Sequence, residues 1–337
     1  MNILGRSGRP SRFISVLTPL PRLFRSTSTS TRSYARSSKK MPDLSHYGED
    51  EVVARLTALL EGSAGVLTGP GDDCAVLEGA PRSEVELLKT DCLVGDVHFE
   101  RGAPPGKVGW KAIARVLSDF AAMGGWPKHL VVTLVASPKL EIGWVERLYR
   151  GMNKCAQQFG CGIVGGETSA VGGEAPLMIS VAGTGVARRS QVVLRSGGRP
   201  GDRLLVTGRL GGSLKGHHLT FVPRLAEAAW LTSNFKLHAM MDLSDGLACD
   251  LPRLASASEC GFVLESECLP CSRGVTVEQA LSDGEDYELL FAVSAYTADR
   301  LLGAWRDQFP DLPLTVIGSL TEGGQPDLAG GWDHFLE

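Results

Sequence analysis

Long hydrophobic runs are missing from this chain: nowhere in its 337 residues do the ~18 to 20 consecutive apolar residues of a membrane span occur. The short apolar runs are broken by charges, so no membrane association is expected. A second scarcity is local. Residues 1–40 contain no Asp or Glu but seven Arg and two Lys, a charge of +9. The overall count of 34 Lys and Arg against 38 Asp and Glu therefore hides a body, from Met41 onward, with 25 basic and 38 acidic residues, a net −13. That body lacks the basic surface that nucleic acid requires, and its acidic clusters are available to hold metal ions. A hydrophobic content of 43% excludes disorder of the whole chain and suffices for one large or two medium domains with a real core.

The leader, 1–40, is Arg- and Ser-rich and is expected to be disordered. It reads either as an organellar transit peptide or as sequence preceding a true start at Met41, and in both readings it stands outside the fold. Eight Cys without a secretory signal indicate reduced thiols and a cytoplasmic protein, with organellar import the alternative if the leader is a transit peptide. Cys268-Leu-Pro-Cys271 is a lone CxxC, and without a second pair or a nearby His it cannot complete a tetrahedral zinc site.

Apolar periodicity predicts helices over 50–60, 108–123, 142–159, 247–257 and 296–307, with another initiated by Pro223. Strands are predicted over 85–88, 130–135, 162–164, 177–181, 204–207, 239–243, 289–293 and 314–317. Strands and helices alternate throughout, so the fold class is α/β or α+β. The turn-forming stretch Gly197–Asp202 divides a first domain, 41–196, from a second, 197–337.

Several predicted turns carry a carboxylate beside Gly: Gly71-Asp72-Asp73, Thr90-Asp91, Gly165-Gly166-Glu167 and Asp242-Leu243-Ser244-Asp245-Gly246. Converging from separate elements, such groups would suit a hard divalent cation, although each alone is more often a cap or a turn residue. Asp119 is different. It lies in a predicted helix between Leu117 and Phe120, neighbours of a residue without charge, and a carboxylate there needs a partner. No Walker A motif occurs; backbone N–H groups of the glycine runs 165–166 and 208–212, with Arg195 as a clamp, are the remaining candidates for phosphate. His98, Glu285 and Trp332 fall in predicted loops, where a surface histidine, a solvated charge and a tail anchor are the plain readings.

Nine segments in order resemble the thiamine-monophosphate kinase family: Gly69–Ala75, Thr90–Phe99, Leu117–Gly125, Gly165–Thr168, Leu194–Asp202, Thr207–Ser213, Met241–Leu247, Gly284–Leu289 and Gly331–Phe335. The resemblance implies a two-domain architecture shared with aminoimidazole ribonucleotide synthetase, a homodimer formed through the N-terminal sheet, and Mg²⁺-dependent transfer of phosphate from ATP to thiamine monophosphate. By position it implies that Asp73, Lys89, Thr90, Asp91, Asp119, Glu167, Asp242 and Asp245 contact Mg²⁺, and that Gly166, Glu167, Arg195 and Ser244 contact ATP. Asp91, Asp119 and Asp242 would be central to catalysis, and His98, Glu285 and Trp332 would line the substrate pocket. Glu167 stands where the family usually has Asp, and Lys89 where Ser is common. The first departure lengthens a ligand, and the second is tolerable if the metal contact there is a backbone carbonyl. Other ATP-using members of the superfamily, or a catalytically silent homologue, are the alternatives.

Overall fold

The computed structural model describes residues 49–58, 64–79, 81–172, 175–324, 326, 328 and 330–335, so the expected leader lies outside the described residues. In chain order the first elements are α1 (Glu49–Thr57), β1 (Val66–Thr68), β2 (Ala75–Glu78), β3 (Glu84–Val94), α2 (Pro105–Ala122), β4 (Trp126–Ala136), α3 (Ile142–Gln158), β5 (Gly162–Ala170) and β6 (Met178–Arg188). Their six strands form one sheet, ordered β1-β2-β3-β6-β4-β5, antiparallel except for the β4/β5 pair. Then follow β7 (Arg203–Thr207), α4 (Leu225–Asn234), β8 (Ala239–Asp242), α5 (Leu247–Ala257), β9 (Gly261–Leu264), α6 (Val277–Ser282), β10 (Leu289–Val293), α7 (Ala295–Gln308) and β11 (Leu314–Thr321). The second sheet is wholly antiparallel, in the order β8-β10-β7-β11-β9. This is the expected mixed α/β class, and the turn Gly197–Asp202 lies between the two sheets' strands.

Helix α2 is the centre of the molecule. Thirteen of its 18 residues are buried, among them Lys111, Ser118 and Asp119, because both flanks of the helix are covered. One flank lies on the inner face of the first sheet. There β6 alternates buried with half-exposed residues and presents Gly183 and Gly185, where a Cβ would meet the ring of Phe120. The missing side chains let the last turn of α2 settle onto the sheet, which sets Asp119 beside β3. Against α3 the packing is as close. A Cβ on Gly151 would fall 2.0 Å from the carbonyl oxygen of Gly106.

Two expected turns prove to be strand. Thr90-Asp91 sits inside β3, which runs through to Val94, and Gly165-Gly166-Glu167 sits inside β5. The inward apolar series of β3, Val85 and Leu87, stops there because the next inward positions, Lys89 and Asp91, face a polar cavity instead of the core. Strand β5 pairs with β4 through its backbone, and Gly166 is required there because a Cβ would fall 2.0 Å from the Val132 carbonyl oxygen. Strands β1, β2 and β9 and helix α6 were not anticipated, being too short for periodicity to register.

Candidate active site

Three buried carboxylates, Asp73 from the β1–β2 loop, Asp119 from the last turn of α2 and Asp242 from the end of β8, present oxygen atoms that all lie within 4.8 Å of one another. Each has one strong partner. Arg195 Nη2 donates to Asp73 Oδ1 at 2.5 Å, Lys89 Nζ to Asp119 Oδ1 at 2.7 Å, and Ser118 Oγ to Asp242 Oδ2 at 2.5 Å. Next to them Asp91 pairs with Arg115 at 3.0 Å, and Asp72 Oδ2 accepts from the Arg195 backbone N–H at 3.0 Å. Burial, reinforced by the negative charge of Asp73, pushes both Asp72 and Asp242 up to about 6. Burial also raises Asp119, against the pull of Lys89, while Lys89 itself is held above the usual lysine range by Asp119 and Asp91 despite its burial.

These groups fit a hard divalent cation. An octahedral ion with oxygen donors at ~2.0 Å spaces them about 3 to 4 Å apart, the scale of this cluster. One donor is also waiting: Asp73 Oδ2 is buried without a hydrogen-bond partner. Asp73, Asp119 and Asp242 would hold such an ion, with Asp91 alongside in a cavity of about 560 Å³.

A smaller recess of about 90 Å³ adjoins this cavity, and the two share Arg115, Ser244, Asp245 and His334 in their walls. His98, Glu285 and Trp332 line it together. His98 Nδ1 accepts from the Val94 N–H at 3.0 Å, and burial with Arg115 nearby lowers this ring to about 4, so it is neutral and its Nε2 carries the proton. Glu285 sits at φ 57°, its N–H donating to the Ser244 carbonyl at 2.7 Å. Burial would raise its carboxyl, but contacts with His218, Lys111 and Arg115 outweigh that and hold it at about 2. Trp332 is half-exposed, fixed by its N–H to the Asp245 carbonyl at 2.9 Å. Gly330 and Gly331, both at positive φ, let this segment lie against Ser282 and Cys249.

Asp245 is held by Arg253 Nη1 at 2.5 Å, and the N–H groups of Ser244 and Asp245 both donate to buried Asp250 at 3.0 Å. Of the remaining expected residues, Thr90 points to the opposite face of β3 from Lys89 and Asp91. Gly166 and Glu167 lie on β5, with β6 and β4 between them and β3. Asp91, Val181, Val132 and Gly166 are consecutive partners across the sheet, so Gly166 is three strand spacings, about 14 Å, from Asp91. Within one chain the structure does not bring Gly166 or Glu167 to the cluster. Lys89 enters it through its ammonium group, which has no lone pair for a metal.

Sequence reasoning missed Lys111 and Arg115. Lys111 is fully buried, and its Nζ donates to the His98 carbonyl at 2.7 Å and to His218 Nδ1 at 2.8 Å and pairs with Glu285 at 2.5 Å. It therefore ties together both loops that carry the recess. The signal was present: Lys107, Lys111, Arg115 and Asp119 recur every fourth residue, one charged stripe on a helix with no other charge.

The chain matches the AIR synthase related protein N-terminal domain over residues 71–187 and the C-terminal domain of the same group over 210–330. It is 39% identical to the thiamine-monophosphate kinase of Rhodopirellula baltica over 246 residues, 68% of this chain and 77% of that protein. Against the Escherichia coli K12 thiamine-monophosphate kinase it is 32% identical over 329 residues, covering 86% of this chain and 98% of the relative. Among solved structures, AaThiL complexed with AMPPCP and TMP superposes with a TM-score of 0.75 at 32% identity, covering 88% of this chain and all of that one.

Because the carboxyls of Asp72 and Asp242 are raised, their protonated forms favour the folded metal-free protein at low pH, and that contribution is lost as pH rises through about 6. A bound divalent cation reverses the balance by requiring ionised ligands. Mg²⁺ is therefore expected to raise Tm more at pH ~7.5 than at pH ~5.5 in scanning calorimetry. An equal or inverted effect would show that Asp242 does not meet the ion.

Proposed function

This chain belongs to the thiamine-monophosphate kinase family, and from that membership we propose that it transfers the γ-phosphoryl group of ATP to thiamine monophosphate, giving thiamine diphosphate and ADP. The observation that carries the reading is the joining of two unlike spaces: an acidic cavity rimmed by Arg115, Arg195 and Lys89, and a recess with an aromatic wall and an ionised carboxylate. The first suits polyphosphate with metal. The second suits an organic cation, with Trp332 offering an aromatic face to the thiazolium ring and Glu285 its charge.

The chemistry asks little of the side chains beyond position and charge. A phosphate oxygen of thiamine monophosphate, ionised at neutral pH, attacks the γ-phosphorus in line, and the bond to the β-phosphate oxygen breaks as ADP leaves. No general base is needed, which agrees with the neutral His98 being held as a hydrogen-bond donor to the recess. Asp73, Asp91, Asp119 and Asp242 would hold Mg²⁺, which when bound neutralises phosphate oxygens during transfer. Arg195 and Ser244 lie where ATP phosphates would enter, and Asp245 stands at the mouth shared with the recess.

The homodimer is part of the same proposal. The face of the first sheet turned away from α2 exposes Leu88, Trp126, Val131 and Met178, an apolar surface suited to a second copy. Thr90 and Glu167 project on this face too, by their register with outward neighbours. Gly166 and Glu167, too far from Asp91 in their own chain, would then serve the cluster of the other copy.

Thiamine-monophosphate-dependent ADP release with Mg²⁺ tests the reaction. Asp119→Asn should lower kcat by ~100-fold or more while the thermal melt stays cooperative; ATP binding without turnover in the unaltered protein would favour a silent homologue. For the shared site, Asp91→Ala and Glu167→Ala are each expected to be inactive, and mixing them after subunit exchange should restore about a quarter of full activity, since half the dimers carry one intact site. No recovery in dimers shown to have exchanged would place Glu167 outside the partner's site.

A further inference from the structure

Each carboxylate of the buried cluster is matched by a different kind of partner, and one of these partners is an ammonium on a single oxygen of Asp119. Ser118 is neutral and brings no positive charge to Asp242, and Arg195 engages one oxygen of Asp73 and leaves the other bare. Lys89 does something else. It projects inward from β3 on the same face as Asp91, its side chain is 24% exposed, and its ammonium lies 2.7 Å from Asp119 Oδ1 inside the cavity. Asp119 also faces Asp73, Asp91 and Asp242, so the ammonium sits among four carboxylates.

An ammonium at hydrogen-bond distance from a carboxylate oxygen occupies that oxygen's coordination direction and repels a second cation from it. We propose that Lys89 is a resident cation on Asp119 Oδ1 that stands in for a second divalent ion there, leaving the other Asp119 oxygen for the ion shared with Asp73 and Asp242, so that this chain assembles its phosphoryl-transfer site with one metal ion fewer than a variant with a neutral residue at that position. The inference rests on the kinase reading of the site. Lys89 acts here as a positioning residue. Its charge is covalently attached and needs no recruitment from solution, and its side chain lines the cavity where phosphate oxygens would lie. Neutralisation by a fixed single charge in place of an exchangeable double one also leaves the cluster matched before any ion arrives.

The test counts bound ions. Mn²⁺ is titrated into the full-length protein and into Lys89→Ser, each saturated with AMPPCP and thiamine monophosphate, and free Mn²⁺ is followed by its electron paramagnetic resonance signal. The Ser variant is expected to bind one more ion per chain, and its melting temperature without metal should fall below that of the unaltered protein. Equal ion counts would overturn the proposal. Lys89→Met, uncharged and similar in length, replaces the Ser variant if the latter shows no cooperative melt, and carries the same expectation. Lys89→Arg keeps the charge and should keep the lower count; a higher count there would also overturn the proposal. Ion counts do not depend on turnover. A count difference in a protein that releases no ADP would therefore sink the kinase reading alone, and equal counts in an active enzyme would sink only the role of Lys89.

Discussion

Like charges brought close in a buried place are the constraint around which this molecule is built. Two carboxylates about 4 Å apart repel by roughly 4 kcal/mol at an effective dielectric near 20, and here three share a space less than 5 Å across with a fourth beside them. Such a cluster persists only if something supplies positive charge. Lys89, Arg115 and Arg195 do so from three separate segments, and Asp72 and Asp242 relieve the remainder by holding protons more tightly than usual. One oxygen of the cluster, Asp73 Oδ2, is still left buried without a hydrogen-bond partner and can meet a cation.

Helix α2 turns that constraint into a reaction path. Its stripe from Lys111 through Arg115 to Asp119 covers eight residue steps, about 12 Å along the axis. Lys111 organises the loops of the aromatic recess, Arg115 stands in the wall between the two spaces, and Asp119 enters the carboxylate cluster. The distance between the organic cation's end of a substrate and its phosphate is thereby set by helix geometry. Glycines at 183 and 185 fix the helix against the sheet, and Gly106 and Gly151 fix it against α3, so the stripe has a rigid support on both sides.

Much of this was legible in the residues. The alternation of strands and helices and the turn at 197–202 follow from periodicity and turn chemistry, and the cost of an isolated carboxylate in an apolar helix singled out Asp119, whereas its grouping with Asp73 and Asp242 came from the resemblance. His98, Glu285 and Trp332, unremarkable one at a time, were linked only by the resemblance of ordered segments, and they do line one recess. What stayed hidden shares a physical cause. Strand residues that face a cavity are polar, so Lys89 and Asp91 broke the pattern that marks a strand, and a glycine-rich edge such as β5 carries no pattern at all. Lys111 was overlooked because a lysine on a helix is ordinarily solvated, and its complete burial depends on loops contributed from residues 98, 218 and 285. Contacts over such separations cannot be read locally.

The central claim is that Asp73, Asp119 and Asp242 together hold a divalent ion at the point of phosphoryl transfer. Crystals grown with Mn²⁺, AMPPCP and thiamine monophosphate, with anomalous diffraction collected above the manganese absorption edge, address it directly. The account predicts an anomalous peak within coordination distance of all three carboxylates and of a terminal phosphate oxygen. Manganese peaks elsewhere, with the three carboxylates bound only to Arg195, Lys89 and Ser118, would contradict it.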